Sequence, residues 1–162
     1  MDEQEFTAWA AGVERRLLRS AYLLTGDLHR AEDLVQEALV KVALRWDRLR
    51  EGNPTAYART IIVRDNISWW RRRREVLVDE VAGAAAVSSD PDAALVVRRA
   101  LARLTPAQRA VVVLRHFDDL SIEETAAILH IAPGTVKSQN AAALARLRDG
   151  APELLDLIGG AP

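Results

Sequence analysis

The sequence predicts an all-α chain built as two small helical domains joined by a flexible linker, the second domain carrying a helix-turn-helix. Three observations predict it. Apolar residues recur at steps of three or four along most of the chain, the signature of helices with one buried stripe. Ala, Leu, Val and Arg dominate its 162 residues, while Gly and Pro number only 8 and 6, and Ala, Leu and Arg lose little on entering a helix. Residues 81–91 then read Val-Ala-Gly-Ala-Ala-Ala-Val-Ser-Ser-Asp-Pro, small and polar without a packing period, as expected of a linker. The expected division is a first domain at 1–78, a linker at 79–94, a second domain at 95–150 and a tail at 151–162.

The first helix is expected over residues 6–24, with Phe6, Trp9, Val13, Leu17 and Ala21 inward, and Gly26 closes it because glycine tolerates a positive φ. A second helix over 28–46 buries Ala31, Val35, Ala38, Leu39, Val42 and Trp46 and turns Glu32, Asp33, Gln36 and Glu37 outward. After the turn Glu51-Gly52-Asn53-Pro54, a third helix runs from about Thr55 into the arginine run, with Ile61, Ile62, Ile67 and Trp70 able to face inward. The second domain opens with a helix over 92–104. Thr105-Pro106-Ala107-Gln108 starts the next, with Thr105 as cap, Pro106 where its missing N–H costs nothing and Gln108 placed for the reciprocal bond. Ser121-Ile122-Glu123-Glu124 is a second capping box and starts a short helix ending near Leu129. A turn at 130–134 leads through Pro133 into the last helix, to about Arg148, whose inward stripe is Val136, Asn140 or Ala143, Leu144 and Leu147. Leu154, Leu155, Leu157 and Ile158 make the tail partly apolar, suited to pack on its own domain or to dock elsewhere.

The formal net charge is −1, which argues against simple coating of nucleic acid. Its distribution is more informative. Residues 57–76 hold Arg59, Arg64, Arg71, Arg72, Arg73 and Arg74 against Asp65 and Glu75, whereas the stretch to Ala94 holds Asp79, Glu80, Asp90 and Asp92 and no base. The first segment suits phosphates and the second repels them. Four consecutive arginines point around a whole helix, as a surface passing close to bent or opened DNA requires. Trp69 or Trp70 can stack on an unpaired base, a contact worth about 1–3 kcal/mol; the competing reading makes one or both core and the arginines a solvated helix end.

The short helix, tight turn and longer helix at 121–147 have the proportions of a DNA-reading pair. Thr135, Lys137, Ser138, Gln139, Ala142 and Arg146 point outward on the second helix. Gln suits a bidentate contact with adenine, Lys holds phosphate or guanine, and a Thr methyl or Ala meets thymine. The acidic patch Glu32, Asp33, Gln36 and Glu37 suits a protein partner with exposed arginine, because carboxylate and guanidinium form oriented, charge-assisted bonds. An ordinary solvated face is the duller alternative.

Catalysis finds little support. The chain has no cysteine, and His29, His116 and His130 lack metal-ligand spacing. Asp118, Asp119, His116 and His130 form the best polar cluster, and Asp33 with Glu37 pairs carboxylates one turn apart, but neither set comes with a nucleophile, ligand triad or phosphate-cradling glycine loop. The expectation is no enzyme, no metal and no cofactor. No apolar stretch approaches the roughly 20 residues needed to span a bilayer, and the acidic start is unlike a signal peptide. A soluble, cytoplasmic protein without membrane insertion is therefore expected.

The order of these segments is similar to a known family. Tyr22-Leu23-Leu24-Thr25-Gly26-Asp27, Ala31-Glu32-Asp33-Leu34-Val35-Gln36-Glu37-Ala38 and Ser68-Trp69-Trp70-Arg71-Arg72-Arg73 resemble region 2 of the extracytoplasmic-function sigma factors of the sigma-70 family. The actinobacterial subgroup usually labelled SigE-family is the nearest resemblance. Leu104-Thr105-Pro106-Ala107-Gln108-Arg109, Leu120-Ser121-Ile122-Glu123-Glu124-Thr125-Ala126 and Gly134-Thr135-Val136-Lys137-Ser138 resemble region 4.

The resemblance implies an RNA polymerase sigma factor that directs promoter-specific initiation, nucleoid-associated when in holoenzyme. Asp33, Gln36 and Glu37, with Leu34 in support, would dock on the clamp helices of the β′ subunit of bacterial core polymerase. Arg59, Arg64, Asn66, Trp69, Trp70 and Arg71 to Arg74 would capture the opened −10 element of promoter DNA. Thr135, Lys137, Ser138 and Gln139 would read the −35 element, with Arg115 and Arg146 on phosphates. Anti-sigma control is common in the family, although no residue here specifies such a partner.

Several positions depart from the family pattern. Arg64 stands where Asn is common, with Asn66 two residues later; Gln139 replaces a common Arg, and Asn140 a basic or small polar residue. His130 replaces a frequent Gly, and Ala132 is a poorer cap than Ser. Less positive charge on the last helix implies a shallower salt dependence of DNA binding. The alternative reading is a helix-turn-helix regulator, or a protein-binding adaptor of the same fold, that does not itself initiate transcription.

Overall fold

The computed structural model describes residues 2–76 and 92–158, and every regular element among them is helical. Contacts divide the chain into two compact units, Met1–Asn66 and Ile67–Pro162, with the division inside one long helix. Residues 79–91 of the expected linker lie outside the described residues.

In the first unit, α1 (Glu3–Thr25) is capped by Asp2, whose carboxylate accepts from the Glu5 N–H. It ends at Gly26, φ 69°, whose N–H reaches the Tyr22 carbonyl at 2.8 Å. Asp27 then caps α2 (Leu28–Ala43) by accepting from the Arg30 N–H. The helix stops three residues before the expected Trp46, because Arg45 leaves the helical region at φ −124° and ψ 15°. Trp46 instead opens the single turn α3 (Trp46–Leu49) and packs 5.3 Å from the rings of both Phe6 and Trp9. An uninterrupted amphipathic pattern conceals this break, since the aromatic cluster that accompanies it is tertiary.

The long helix α4 (Pro54–Val76) is tied to the others by polar contacts: Trp9 Nε1–H to Thr55 Oγ1 at 3.2 Å and Lys41 Nζ to Asp65 Oδ2 at 2.8 Å. Its buried stripe in this unit is Ala58, Ile62, Val63 and Asn66; Ile61 and Ile67, expected inward, are only half-buried. Val13, Leu17, Ala21 and Leu24 of α1 and Ala31, Leu34, Val35, Ala38 and Val42 of α2 are the other buried apolar residues of these helices. Each large apolar side chain fully buried there, such as Leu17 or Ile62, contributes about 1.5–3 kcal/mol.

The second unit holds the end of α4, α5 (Asp92–Ala102), α6 (Pro106–Val112), a π-helical turn (Val113–Phe117), α7 (Ile122–Leu129), α8 (Pro133–Gly150) and α9 (Pro152–Leu157). Both expected capping boxes form, Thr105 with Gln108 and Ser121 with Glu124. Arg109 is buried, and its guanidinium donates to the Leu101 carbonyl at 2.9 Å, which also accepts from the Leu104 N–H, and to the Leu104 carbonyl at 3.2 Å, tying α6 to the end of α5. Burial lowers its pKa from the ordinary arginine value. Val111, Ala126 and Val136 join α6, α7 and α8 in one apolar cluster, with Ile122, Leu129 and Ile131 around it. The tail packs back: Leu154 is fully buried and α9 lies against α8 and α5.

Candidate DNA-reading and protein-docking surfaces

On α8 the buried positions are Val136, Ala143 and Leu147, one stripe. Thr135, Lys137, Ser138, Ala142 and Arg146 are consequently exposed, and Gln139 is half-buried at the edge. Pro133 occupies the first turn, and Ala132 offers no side-chain cap. The turn from α7 is closed by His130 in the left-handed region at φ 54°, with the Ile131 N–H bonded to the Ala126 carbonyl at 3.1 Å and the His130 N–H to the same oxygen. Glycine adopts that backbone without strain.

Arg115 does not stand free as a phosphate ligand. It is half-buried in the π-helical turn, and its Nη1–H donates to the Leu120 carbonyl beside the Ser121 cap. His116 in the same turn donates Nε2–H to Asn140 Oδ1 of α8 at 2.9 Å. Neither bond follows from helical periodicity, because nothing local marks the five-residue π-helical turn that changes the phase of these side chains.

At the end of α4, Arg71, Arg72 and Arg74 are exposed, while Trp69, Trp70 and Arg73 are half-buried. The two indoles meet edge to face at 5.0 Å, and the Arg73 guanidinium lies 4.7 Å from the centre of Trp69. Arg109 lies 5.4 Å from the Trp70 ring. The Trp69 face turned towards Arg73 is therefore already occupied by a cation. Arg59 and Arg64 are half-buried. Asn66, expected at the DNA surface, is only 3 % exposed. Its Nδ2 donates to the Leu24 carbonyl at 3.5 Å at the end of α1, so here it joins helices rather than facing solvent.

The acidic face of α2 presents Glu32, Asp33, Gln36 and Glu37 to solvent, whereas Leu34 is 5 % exposed and belongs to the core beneath them. The same face continues to Val40 and Leu44, which are 57 % and 77 % exposed. Positions 33, 37, 40 and 44 follow helical spacing, so that periodicity already held the signal for an acidic face with an apolar end. Glu14 and Leu18 of α1 meet Glu32, Asp33, Val35 and Gln36 across an open groove of about 400 Å³. Carboxylates flanking apolar carbon suit a basic side chain with an aliphatic stem.

Among the described residues no group of three or more His, Cys, Asp or Glu could hold a metal ion, and no helix is long and apolar enough to cross a membrane.

Comparison with known proteins finds one family profile on each side of residues 77–93. "Sigma-70 region 2" matches residues 9–76 and "Sigma-70, region 4" matches residues 94–147. RNA polymerase sigma-E factor of Streptomyces avermitilis is 41 % identical over 151 residues, covering 90 % of this chain and 84 % of that protein. ECF RNA polymerase sigma factor SigM of Mycobacterium tuberculosis is 32 % identical over 137 residues, covering 82 % and 70 % respectively. Among solved structures, the sigma factor RpoE of Bartonella quintana, in complex with the anti-sigma factor NepR, aligns with a TM-score of 0.72 at 30 % identity over 90 % of this chain and 96 % of that one.

Proposed function

The chain belongs to the sigma-70 family, in its extracytoplasmic-function group, and from that membership we propose that it binds core RNA polymerase and directs promoter-specific initiation. The observation that carries the proposal is the order of the two family matches, one on each helical segment. Core docking is assigned to Asp33, Gln36 and Glu37, with Leu34 shaping the face from below. The groove of Glu14, Leu18 and α2 supports a partner rich in arginine or lysine.

Residues 1–78 would bind core and the −10 element, and 95–150 the −35 element. Arg59, Arg64, Trp69, Trp70 and the run from Arg71 to Arg74 would hold the opened −10 strand, with the exposed Arg71, Arg72 and Arg74 meeting phosphates first. Asn66 enters this set only through its support of α4. Thr135, Lys137, Ser138 and Gln139 would read the −35 element, and Arg146 would hold phosphate. Arg115 contributes chiefly by holding the loop before α7. Phosphodiester chemistry remains in the polymerase.

The reading helix is weakly basic, with Lys137 and Arg146 its cations on the expected DNA face. Each segment alone would bind DNA weakly, and joining both to polymerase raises the effective concentration of each at its element. The alternative of a regulator that binds duplex but does not initiate takes its support from the same low charge. Assignment to the SigE-like subgroup rests on the Streptomyces relative. An anti-sigma partner, as in the Bartonella complex, and a cytoplasmic location are part of the proposal.

The experiment is selection of transcribed sequences from a randomised promoter library with purified core enzyme. The expected outcome is enrichment of two spaced elements, with Gln139→Ala changing the upstream one alone. Binding to duplex without core, and no transcript with it, would favour the regulator.

A further inference from the structure

We infer that His116 and Asn140 form a polar latch that sets the rotation of α8 and so the base preference of its exposed face, making both positioning residues; this rests on the −35 reading proposed above.

Asn140 lies on the stripe that packs α8 into its domain, between Val136 and Ala143, both fully buried. It is half-buried itself and interrupts an otherwise apolar seam. Its Oδ1 can only accept, so the 2.9 Å contact has His116 Nε2–H as donor. His116 arrives there from the π-helical turn, closed by the Asp118 N–H on the Val113 carbonyl at 2.9 Å. The same turn sends Arg115 to the Leu120 carbonyl ahead of α7. One turn therefore bonds to α8 and to the segment that starts α7, the two members of the reading pair.

Apolar contacts are not directional and tolerate small rotations of a helix about its axis. A hydrogen bond is directional. With side-chain tips about 5–6 Å from the axis, a rotation of about 20° carries Gln139 or Lys137 through roughly 2 Å. That exceeds the roughly 0.5 Å range of good hydrogen-bond distances to a base edge. A half-buried polar pair of this kind need not add stability, since apolar replacements of similar size often match it, but it selects one arrangement among several packed ones.

The test compares the full-length chain, His116→Leu/Asn140→Leu and His116→Gln, each with core polymerase, in promoter-library transcription and in thermal unfolding. The double variant is expected to keep or raise the melting temperature and to leave the −10 preference in place. It should flatten discrimination at the −35 positions read by α8 by about 5- to 150-fold, the range for losing one well-aligned base contact. His116→Gln, which keeps an N–H donor, should retain the wild-type −35 profile. An unchanged −35 profile in the double variant overturns the latch alone. A uniform loss at every promoter with a lowered melting temperature, or a His116→Gln profile as flat as that of the double variant, also overturns it. Absence of any −35 preference in the wild-type chain overturns the parent reading and the latch together.

Discussion

Reversing both carboxylates of the α2 face, Asp33→Lys with Glu37→Lys, separates docking from folding. Both side chains are exposed, and both lie beyond the first turn of α2, where the helix dipole has little purchase. They already repel one another at i and i+4, and two lysines would repel equally; the reversal also exchanges attraction for repulsion towards Arg30 at i−3 and Lys41 at i+4, so the fold should lose about 1–2 kcal/mol at most. Against a basic partner the change is much larger. Close interfacial charge pairs couple by about 1.5–7 kcal/mol. The low end of that range at each position gives about 3 kcal/mol, or roughly a hundredfold rise in Kd. Fluorescence titration of labelled chain with core polymerase measures it, beside a thermal melt. The difference between wild type and variant should narrow as salt screens the exposed rim. A Kd within threefold of wild type, or a fall in melting temperature that accounts for the loss, would refute the assignment of this face.

Three further outcomes follow from burial and backbone geometry. Asn66→Asp would bury a carboxylate beside the Leu24 carbonyl at a site 3 % exposed, destabilising the first unit by about 3–5 kcal/mol in denaturant unfolding; an unchanged melt with weakened −10 capture would return Asn66 to the DNA surface. Thr125 is fully buried and its hydroxyl has no hydrogen-bond partner among the described residues, so Thr125→Val should stabilise by about 1 kcal/mol, and a loss would show that the hydroxyl is satisfied in solution. His130→Gly, at φ 54°, should stabilise by about 0.5–1 kcal/mol by removing left-handed strain, read as a raised denaturant midpoint with unchanged slope.

Local chemistry was the legible part. Thr105 and Ser121 announced their helices because a capping box is written within four residues. Gly26 announced the end of α1 for a similarly local reason. The outward positions Thr135, Lys137, Ser138, Ala142 and Arg146 of α8 also follow from period, since Val136, Ala143 and Leu147 fix which side is buried, whereas Gln139 lies half-buried at the edge. What escaped was set by contacts distant in sequence. Leu34 enters only through the family resemblance, in support of the docking face, and its side chain lies in the core beneath that face. Asn66 and Arg109 are polar by type and buried by context, each bonded to carbonyls at a helix end. The phase of the π-helical turn decides that His116 meets Asn140 and Arg115 meets Leu120, and no local pattern encodes that phase.

The most direct measurement is run-off transcription by purified core polymerase from a library-selected promoter, with and without this chain. A defined transcript is expected only when the chain is present, reduced when either spaced element is scrambled and reduced again by reversal at Asp33 and Glu37. No transcript above that of core alone, with the chain shown to be folded, would contradict it.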